Sequence, residues 1–283
     1  MVSSPVRLFR ARLHLRRGMD NVKASIIIPS LDRQDSLDRC LLSLNEQTET
    51  SFEVIVLRER GPLARIRNEG LRQARGAISC FIDDDVQLPP TWLSRLLHAF
   101  EVPRVIGVSG PAIIPASYQR QRDLFRYPRL KSLHDWLFLE SIRYPGTLSL
   151  AGCPVILPYD TGYQGEVQFL EACNMSFRTE ALRAVGGFDE GYGGIGDWSE
   201  PDVCFRLRAR FPESRLLYQP ECRLLHLPDQ TGAYLLRRTT GARLTNYYLF
   251  AQRWVRPHWR HTLYKGFLRS YYTWKELCAP LSH

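Results

Sequence analysis

The chain has 283 residues, of which 44% are hydrophobic, 11% aromatic and 24% charged. That composition supports a sizeable core and excludes a disordered chain. The formal charge is +9, and it is unevenly placed: nine bases face one acid between Arg237 and Glu276, and six face one between Met1 and Lys23.

Basic ends therefore flank a mildly acidic body, and such ends favour an anionic surface or a polyanion. No window approaches the ~18 apolar residues of a membrane span. The basic N-terminus lacks the apolar stretch of a signal peptide. The expectation is a cytoplasmic protein, peripheral on a membrane at most. Residues 1–23 read as a loose basic arm, with translation starting at Met1 or Met19. Cysteines stand at 40, 80, 153, 173, 204, 222 and 278, with no CxxC pair. An odd, scattered set reads as reduced thiols filling the core.

In chain order, "ASIIIPS" (Ala24–Ser30) is a short β-branched run and reads as a buried strand. "DSLDRCLLSLNEQ" places Leu37, Cys40, Leu41 and Leu44 at helical spacing, with Asp35 as the expected N-cap. "FEVIVL" (Phe52–Leu57) is a second strand. "LARIRNEGLRQARG" is a helix expected to stop at Gly76. "AISCFI" (Ala77–Ile82) is a third strand, "TWLSRLLHAF" a helix and "VIGVSG" (Val105–Gly110) a fourth strand. Alternation of this kind predicts an α/β fold: a mostly parallel central sheet flanked by helices.

Residues 117–165 are irregular and read as a loop-rich insertion. "VQFLEACNMSF" reads as a strand, and "TEALRAV" as a short helix capped by Thr179. "GGFDEGYGGIGDWSE" has six glycines in fifteen residues, which suits a mobile loop of close approach. "PDVCFRLRAR" is a helix that tolerates Pro201 in its first turn. "CRLLHLP" (Cys222–Pro228) is strand-like. The expected organisation is an arm (1–23), an α/β domain (24–230) and a helical basic-aromatic extension (231–283). Within the domain, 24–116 and 166–230 form two halves on either side of the insertion, 117–165.

The third strand ends in "CFIDDDVQLPP", three adjacent carboxylates at Asp83, Asp84 and Asp85. Like charges this close repel, and a divalent cation removes the penalty. Oxygen ligands suit Mg²⁺ or Mn²⁺. Ligands of parallel sheets sit outside the carboxyl ends of the strands. These acids therefore belong at the rim of a cleft.

Four segments occur in order: "SIIIPSLDRQDSLDRCLLSL", "FIDDDVQLPPTWL", "NMSFRTEALRAVGGFDE" and "EPDVCFRLRAR". Together, over Ala24 to Leu227, they resemble the inverting nucleotide-sugar glycosyltransferases of family 2, with the glycosyltransferase A-type fold. The resemblance implies that the family's Asp-x-Asp motif falls on Asp83, Asp84 and Asp85. Asp83 would face the ribose and join the metal ligands, and Asp85 would bind a metal that bridges the donor's two phosphates. His226 in "LLHLP" matches a further metal ligand, and Asp84 joins the donor set. The catalytic base falls on Glu200, where the family usually has Asp, with Asp202 as the rival.

The family's acidic pair after the second strand is reduced here to Glu59, between Arg58 and Arg60. Pro29, Ser30, Asp32, Arg33, Arg65 and Asn68 are the other expected donor contacts. UDP is the default nucleotide, with GDP, dTDP and CDP as alternatives. Asp197 and Trp198 in the glycine-rich loop, with Asn174, are expected to meet the acceptor, a glycan or a lipid-linked hydroxyl. The expected activity is metal-dependent, inverting sugar transfer in polysaccharide or glycoconjugate biosynthesis.

The tail mixes bases with ten aromatics from Tyr247 to Trp274. Pro257 should divide it into two helices, with Leu263, Phe267, Tyr271 and Trp274 near one face. Such a mixture suits either an anionic lipid surface or packing on the domain. Two other functions compete. A polyanion-binding protein would explain the ends, but no RNA-binding signature is present, which argues against nucleic acid as a partner. A nucleotidyltransferase on a similar sheet would explain the acids.

Overall fold

The computed structural model describes residues 22–115, 128–139, 146–155, 162–229 and 240–277. The basic arm up to residue 21, Arg237, Arg238 and Cys278 lie outside the described residues.

Strand β1 (Ala24–Pro29) is wholly buried, and its β-branched run shows why. Ile26 and Ile28 point to one face of the sheet and Ile27 to the other, each with no exposed surface. Each such side chain contributes about 1.5–3 kcal/mol of burial. Helix α1 (Gln34–Asn45) covers the first face through Leu37, Cys40 and Leu44. Its cap position is Arg33, and no side chain caps it. Asp35 lies in the first turn instead, where its charge favours the helix N-terminus.

Strand β2 (Phe52–Leu57) pairs with β1 in parallel. Helix α2 (Leu63–Gln73) packs on the opposite face through Ala64, Ile66 and Leu71. It ends at extended Ala74, before Gly76. Gly76 is needed for a different reason. A Cβ there would come within 2.5 Å of the Ala24 carbonyl carbon, so the glycine lets the chain pass against β1.

Strand β3 (Ile78–Ile82) pairs in parallel with β1, and the short β4 (Val86–Gln87) follows the three carboxylates. Helix α3 (Trp92–Ala99) buries Trp92, Leu93 and Leu96 with α1. Next come β5 (Val105–Ser109), β6 (Ala112–Ile113) and helix α4 (Pro128–His134), which runs into a π-helical turn over Asp135–Leu139. A small hairpin joins β7 (Thr147–Leu148) to β8 (Pro154–Val155).

"VQFLEACNMSF" is not one strand. A two-residue β9 (Gly165–Glu166) is separated by turns from β10 (Asn174–Arg178). Helix α5 (Thr179–Ala184) starts at Thr179, which does not cap it. Its hydroxyl donates to the Gly76 carbonyl at 2.6 Å and meets Ser79 Oγ at 2.9 Å, tying α5 to β3. Helix α6 (Ser199–Arg210) lies on the α2 face through Val203, Cys204 and Leu207. The chain ends its sheets with β11 (Arg215–Tyr218), unforeseen in the sequence, and β12 (Leu224–His226).

The main sheet has the order β2-β1-β3-β10-β5-β11-β9. Strands β1, β2 and β3 run in parallel, as do β5 and β11, while β10 runs antiparallel between the two groups. The fold is thus α/β, with helices on both faces of a mostly parallel sheet. A second sheet, β4-β12-β6, sits at one end.

Two tail helices follow, Thr240–Trp254 and Trp259–Leu277, divided around Pro257. Tyr247, Ala251, Tyr264 and Leu268 form a third core with Phe138, Ala151 and Cys153. Three of the tail's ten aromatics, Tyr247, Phe250 and Tyr264, are therefore part of the protein interior. Tyr248, Trp259, Leu263 and Trp274 remain exposed. Among the described residues the six cysteines are all buried and unpaired.

Candidate active site

The carboxyl end of β3 and the tip of β12 build the first half of the site. Antiparallel pairing sets His226 opposite Val86. This register brings a residue from the late chain onto the acids that follow β3. Ligand atoms of Asp83, Asp85 and His226 all lie within 4.8 Å of one another. Nε2 of His226 is 3.3 Å from Asp85 Oδ1. The Asp229 backbone N–H donates to Asp85 Oδ2 at 2.9 Å. Leu227 N–H donates to the Asp85 carbonyl at 2.8 Å, closing the turn.

Arg33, just beyond β1, fills the other side. Its guanidinium pairs with Asp84 and with Asp85 Oδ2 at 3.1 Å, and donates to the Asp229 carbonyl at 2.7 Å. It is thus a cation held against the acids. Burial and the repulsion of Asp85 push Asp83 above the usual carboxylate range. Burial also pushes Asp84 up to about 6, against the pull of Arg33. Asp85 goes the other way: burial opposes it, but His226 and Arg33 hold it low. His226 is desolvated, yet its bonds to Asp85 and Cys173 push it up to about 11. Two carboxylates and an imidazole at this spacing fit a divalent cation, which would discharge this crowding.

The second half is the N-terminus of α6. Glu200 is buried there, and Arg67 Nη1 on α2 donates to its Oε1 at 2.6 Å. Burial raises the Glu200 pKa, and Arg67 opposes that rise. Asp202 is fully buried and saturated. It accepts from Arg206 Nε at 2.7 Å, Trp254 Nε1 at 2.9 Å and Arg253 Nη1 at 3.3 Å. Both oxygens of Asp202 thus hold structure together, and one oxygen of Glu200 does.

Several expected contacts are placed elsewhere. Asn174 is fully buried, accepts from Trp92 Nε1 and donates to the carbonyls of Gly110 and Cys222. It has no atom left for an acceptor. Asn68 donates to the Phe188 carbonyl and Glu190 Oε1, and accepts from Phe188 N–H. Its side chain clamps the glycine-rich loop. That loop is tied down where mobility was expected. Asn246 bonds both polar groups of the Gly193 backbone, and Leu63 N–H donates to Gly194. At Gly187, φ is +70°, and a Cβ would lie 2.4 Å from Asn68 Oδ1.

Asp197 takes both Nε and Nη2 of Arg243. Trp198, at a left-handed φ of 77°, lays its ring 5.0 Å from Tyr247 and 5.1 Å from Phe250. Both side chains anchor the first tail helix. Arg65 bends back to the Arg60 carbonyl at 2.7 Å. Pro29 and Ser30 are buried at the end of β1; Asp32, at φ 60°, and Glu59 are exposed nearby. Arg67 escaped the sequence reading because a lone arginine on a helix gives no sign of burial. The same holds for Glu171, buried just before β10, which burial pushes up to about 7.

Residues 56–151 match the family described as Glycosyl transferase family 2. Pre-mycofactocin glycosyltransferase of Mycobacterium tuberculosis is 30% identical over 167 residues, which are 59% of this chain and 30% of that protein. Glucosyl-dolichyl phosphate glucuronosyltransferase of Haloferax volcanii is 25% identical over 169 residues, 56% of this chain and 46% of that protein. The chain thus spans less than half the length of these curated relatives. Among solved structures, mannosyltransferase PcManGT from Pyrobaculum calidifontis, in complex with GDP-Man and Mn²⁺, superposes with a TM-score of 0.52 at 16% identity. The match covers 90% of this chain and 72% of that one. S. aureus TarS 1–349, in complex with UDP-GlcNAc, gives 0.55 at 11% identity over 92% of this chain and 76% of that one. At these identities the likeness shows the fold alone.

Proposed function

We propose that this chain, which belongs to glycosyl transferase family 2, moves a sugar from a nucleoside-diphosphate sugar to a hydroxyl with inversion. The acceptor in this reading is a glycan or a lipid-linked carrier in polysaccharide or glycoconjugate biosynthesis. The observation that carries the reading is the Asp83, Asp85 and His226 cluster at the strand ends.

Those three residues would hold Mn²⁺ or Mg²⁺. A bound metal supplies charge neutralisation of the pyrophosphate and Lewis-acid help to the leaving nucleoside diphosphate. Arg33 orients Asp84 and Asp85 from the side of the nucleotide. Pro29, Ser30, Asp32 and Glu59, around the ends of β1 and β2, form the surface for the donor's nucleoside, with UDP as default and GDP, dTDP or CDP as alternatives.

Glu200 is the base, taking the proton of the acceptor hydroxyl as that oxygen attacks the anomeric carbon. Asp202 is the weaker candidate, because three donors already occupy its oxygens. Arg67 holds Glu200 toward its ionised form. No helix among the described residues is long and apolar enough to cross a membrane. We place the protein in the cytoplasm, with the exposed Trp259, Leu263 and Trp274 and the neighbouring bases facing an anionic leaflet.

The test is product analysis with UDP, GDP, dTDP and CDP sugars in Mn²⁺, Mg²⁺ or chelator. Metal-dependent release of a nucleoside diphosphate is expected, abolished in Glu200→Gln with nucleotide binding retained. Release of pyrophosphate would instead identify a nucleotidyltransferase. Near-normal turnover in Glu200→Gln would remove Glu200 as base.

A further inference from the structure

Glu171 is a carboxylate that the fold buries with one oxygen left without a hydrogen-bond partner. Its residue is 9% exposed, and its Oε1 is buried with no hydrogen-bond partner. A carboxylate is costly to keep in such a place, and buried polar atoms are nearly always paired. Neighbouring Val167, Phe169 and Leu170 are core residues, so the turn itself is firmly seated. The Asn174 N–H donates to the Glu171 carbonyl at 3.2 Å, fixing the last bend before β10.

Three neighbours locate the residue. Asn174 pairs with Ile82, so the turn before β10 runs beside the end of β3, where Asp83 begins the acidic run. Glu171 lies within electrostatic reach of His226. The backbone of its neighbour Leu170 meets Cys204 on α6, one helical turn from Glu200. Glu171 therefore stands between the metal corner and the N-terminus of α6. It is outside the cluster of mutually close ligand atoms formed by Asp83, Asp85 and His226. A donor's glycosyl group must cross this interval, because its anomeric carbon lies between the departing phosphate and the base.

A carboxylate accepts hydrogen bonds and repels phosphate, so its natural partner here is a hydroxyl. We infer that Glu171 is a donor-sugar contact, its carboxylate accepting hydrogen bonds from ring hydroxyls of the transferred glycosyl group. The inference rests on the donor reading above and adds a specificity-determining residue to it. A site built to bind hydroxyls discriminates strongly against sugars that lack them.

The test compares the full chain with Glu171→Gln and Glu171→Ala in Mn²⁺, by calorimetry and thermal unfolding. The probes are UDP and GDP, against UDP-glucose, UDP-GlcNAc and GDP-mannose. Both variants should bind the bare nucleoside diphosphate within about twofold of wild type and melt no lower. Affinity for the best sugar conjugate should fall about tenfold or more, the scale of a lost hydrogen bond to a charged group. Unchanged affinity for that conjugate in both variants overturns the inference. So does a lowered melting point with loss of both ligand types, which would make Glu171 structural. Loss of Mn²⁺ binding alone would make it a metal ligand and also overturns it. A wild type that binds nucleoside diphosphates but no conjugate more tightly than its nucleotide overturns the sugar contact alone. A wild type that binds no nucleotide at all overturns the donor reading itself.

Discussion

The indole N–H of Trp254 donates to Asp202 Oδ1 at 2.9 Å, two positions after Glu200 in the first turn of α6. The last residue of the first tail helix therefore holds the start of the helix that carries the proposed base. The same tail helix holds Asp197 through Arg243 and Trp198 through Tyr247 and Phe250. The tail is part of the frame around the proposed base.

Trp254→Phe removes this donor while keeping an aromatic ring against Phe205. It should destabilise the protein by about 1.5–3 kcal/mol, the range for hydrogen bonds to charged groups. Turnover should fall more than donor affinity, since α6 shifts and the metal corner does not. Differential scanning calorimetry and a KM-against-kcat comparison measure the two effects. An unchanged melting point would show that Arg206 and Arg253 suffice for Asp202.

Arg67 sits 2.6 Å from Glu200 and is almost wholly buried. Arg67→Met removes the cation and leaves Glu200 as a buried carboxylate with burial unopposed. Its pKa must rise further, because the charged form loses its stabilising partner. The acidic limb of the kcat/KM profile should then move to higher pH. A limb that stays in place would place the titrating base elsewhere.

Glu171 titrates up to about 7 in the folded protein, against about 4.3 when unfolded. The folded state thus holds the proton more tightly. This contribution to stability is complete below about pH 4.3 and is lost as pH rises through about 7. Its slope reaches at most about 1.4 kcal/mol per pH unit. Unfolding free energies of chelator-treated protein should fall over that window, and Glu171→Gln should flatten the fall. Equal slopes in wild type and variant would contradict the burial of this carboxylate.

Trp136 is 64% exposed and Trp259 55%, and Arg260 joins their elements by bonding the Trp136 and Leu137 carbonyls. Each base near an anionic surface contributes about 1 kcal/mol. Full-length protein should float with vesicles containing anionic lipid at low salt and stay behind with neutral ones. Replacing Trp136 and Trp259 with Ser should weaken flotation at constant charge. Recovery of the wild type in the unbound fraction with both vesicle types would exclude the membrane surface.

Much of the architecture was legible in the chain. Runs such as "SIIIP" and "ISCFI" are too short and too β-branched for helices, and their alternation with amphipathic segments leaves little besides a parallel sheet. The acids after Ile82 announced themselves by charge density at a strand end. Local ends were less legible. Asp35 and Thr179 have cap chemistry, but capping depends on backbone angles that neighbouring strands impose. Gly76 resembles a helix stop, yet its role is to let two backbones touch.

The sequence by itself determined the parallel α/β core and the acidic strand end, because periodicity and charge crowding are local properties of the chain. Only the tertiary structure decided which polar side chains are free for chemistry. It turned Asn68, Asn174, Asp197 and Asp202 into ties, paired Arg67 with Glu200, and left Glu171 buried without a partner at Oε1. Whether a polar group is satisfied depends on residues far away in the chain, and only folding brings them within bonding distance.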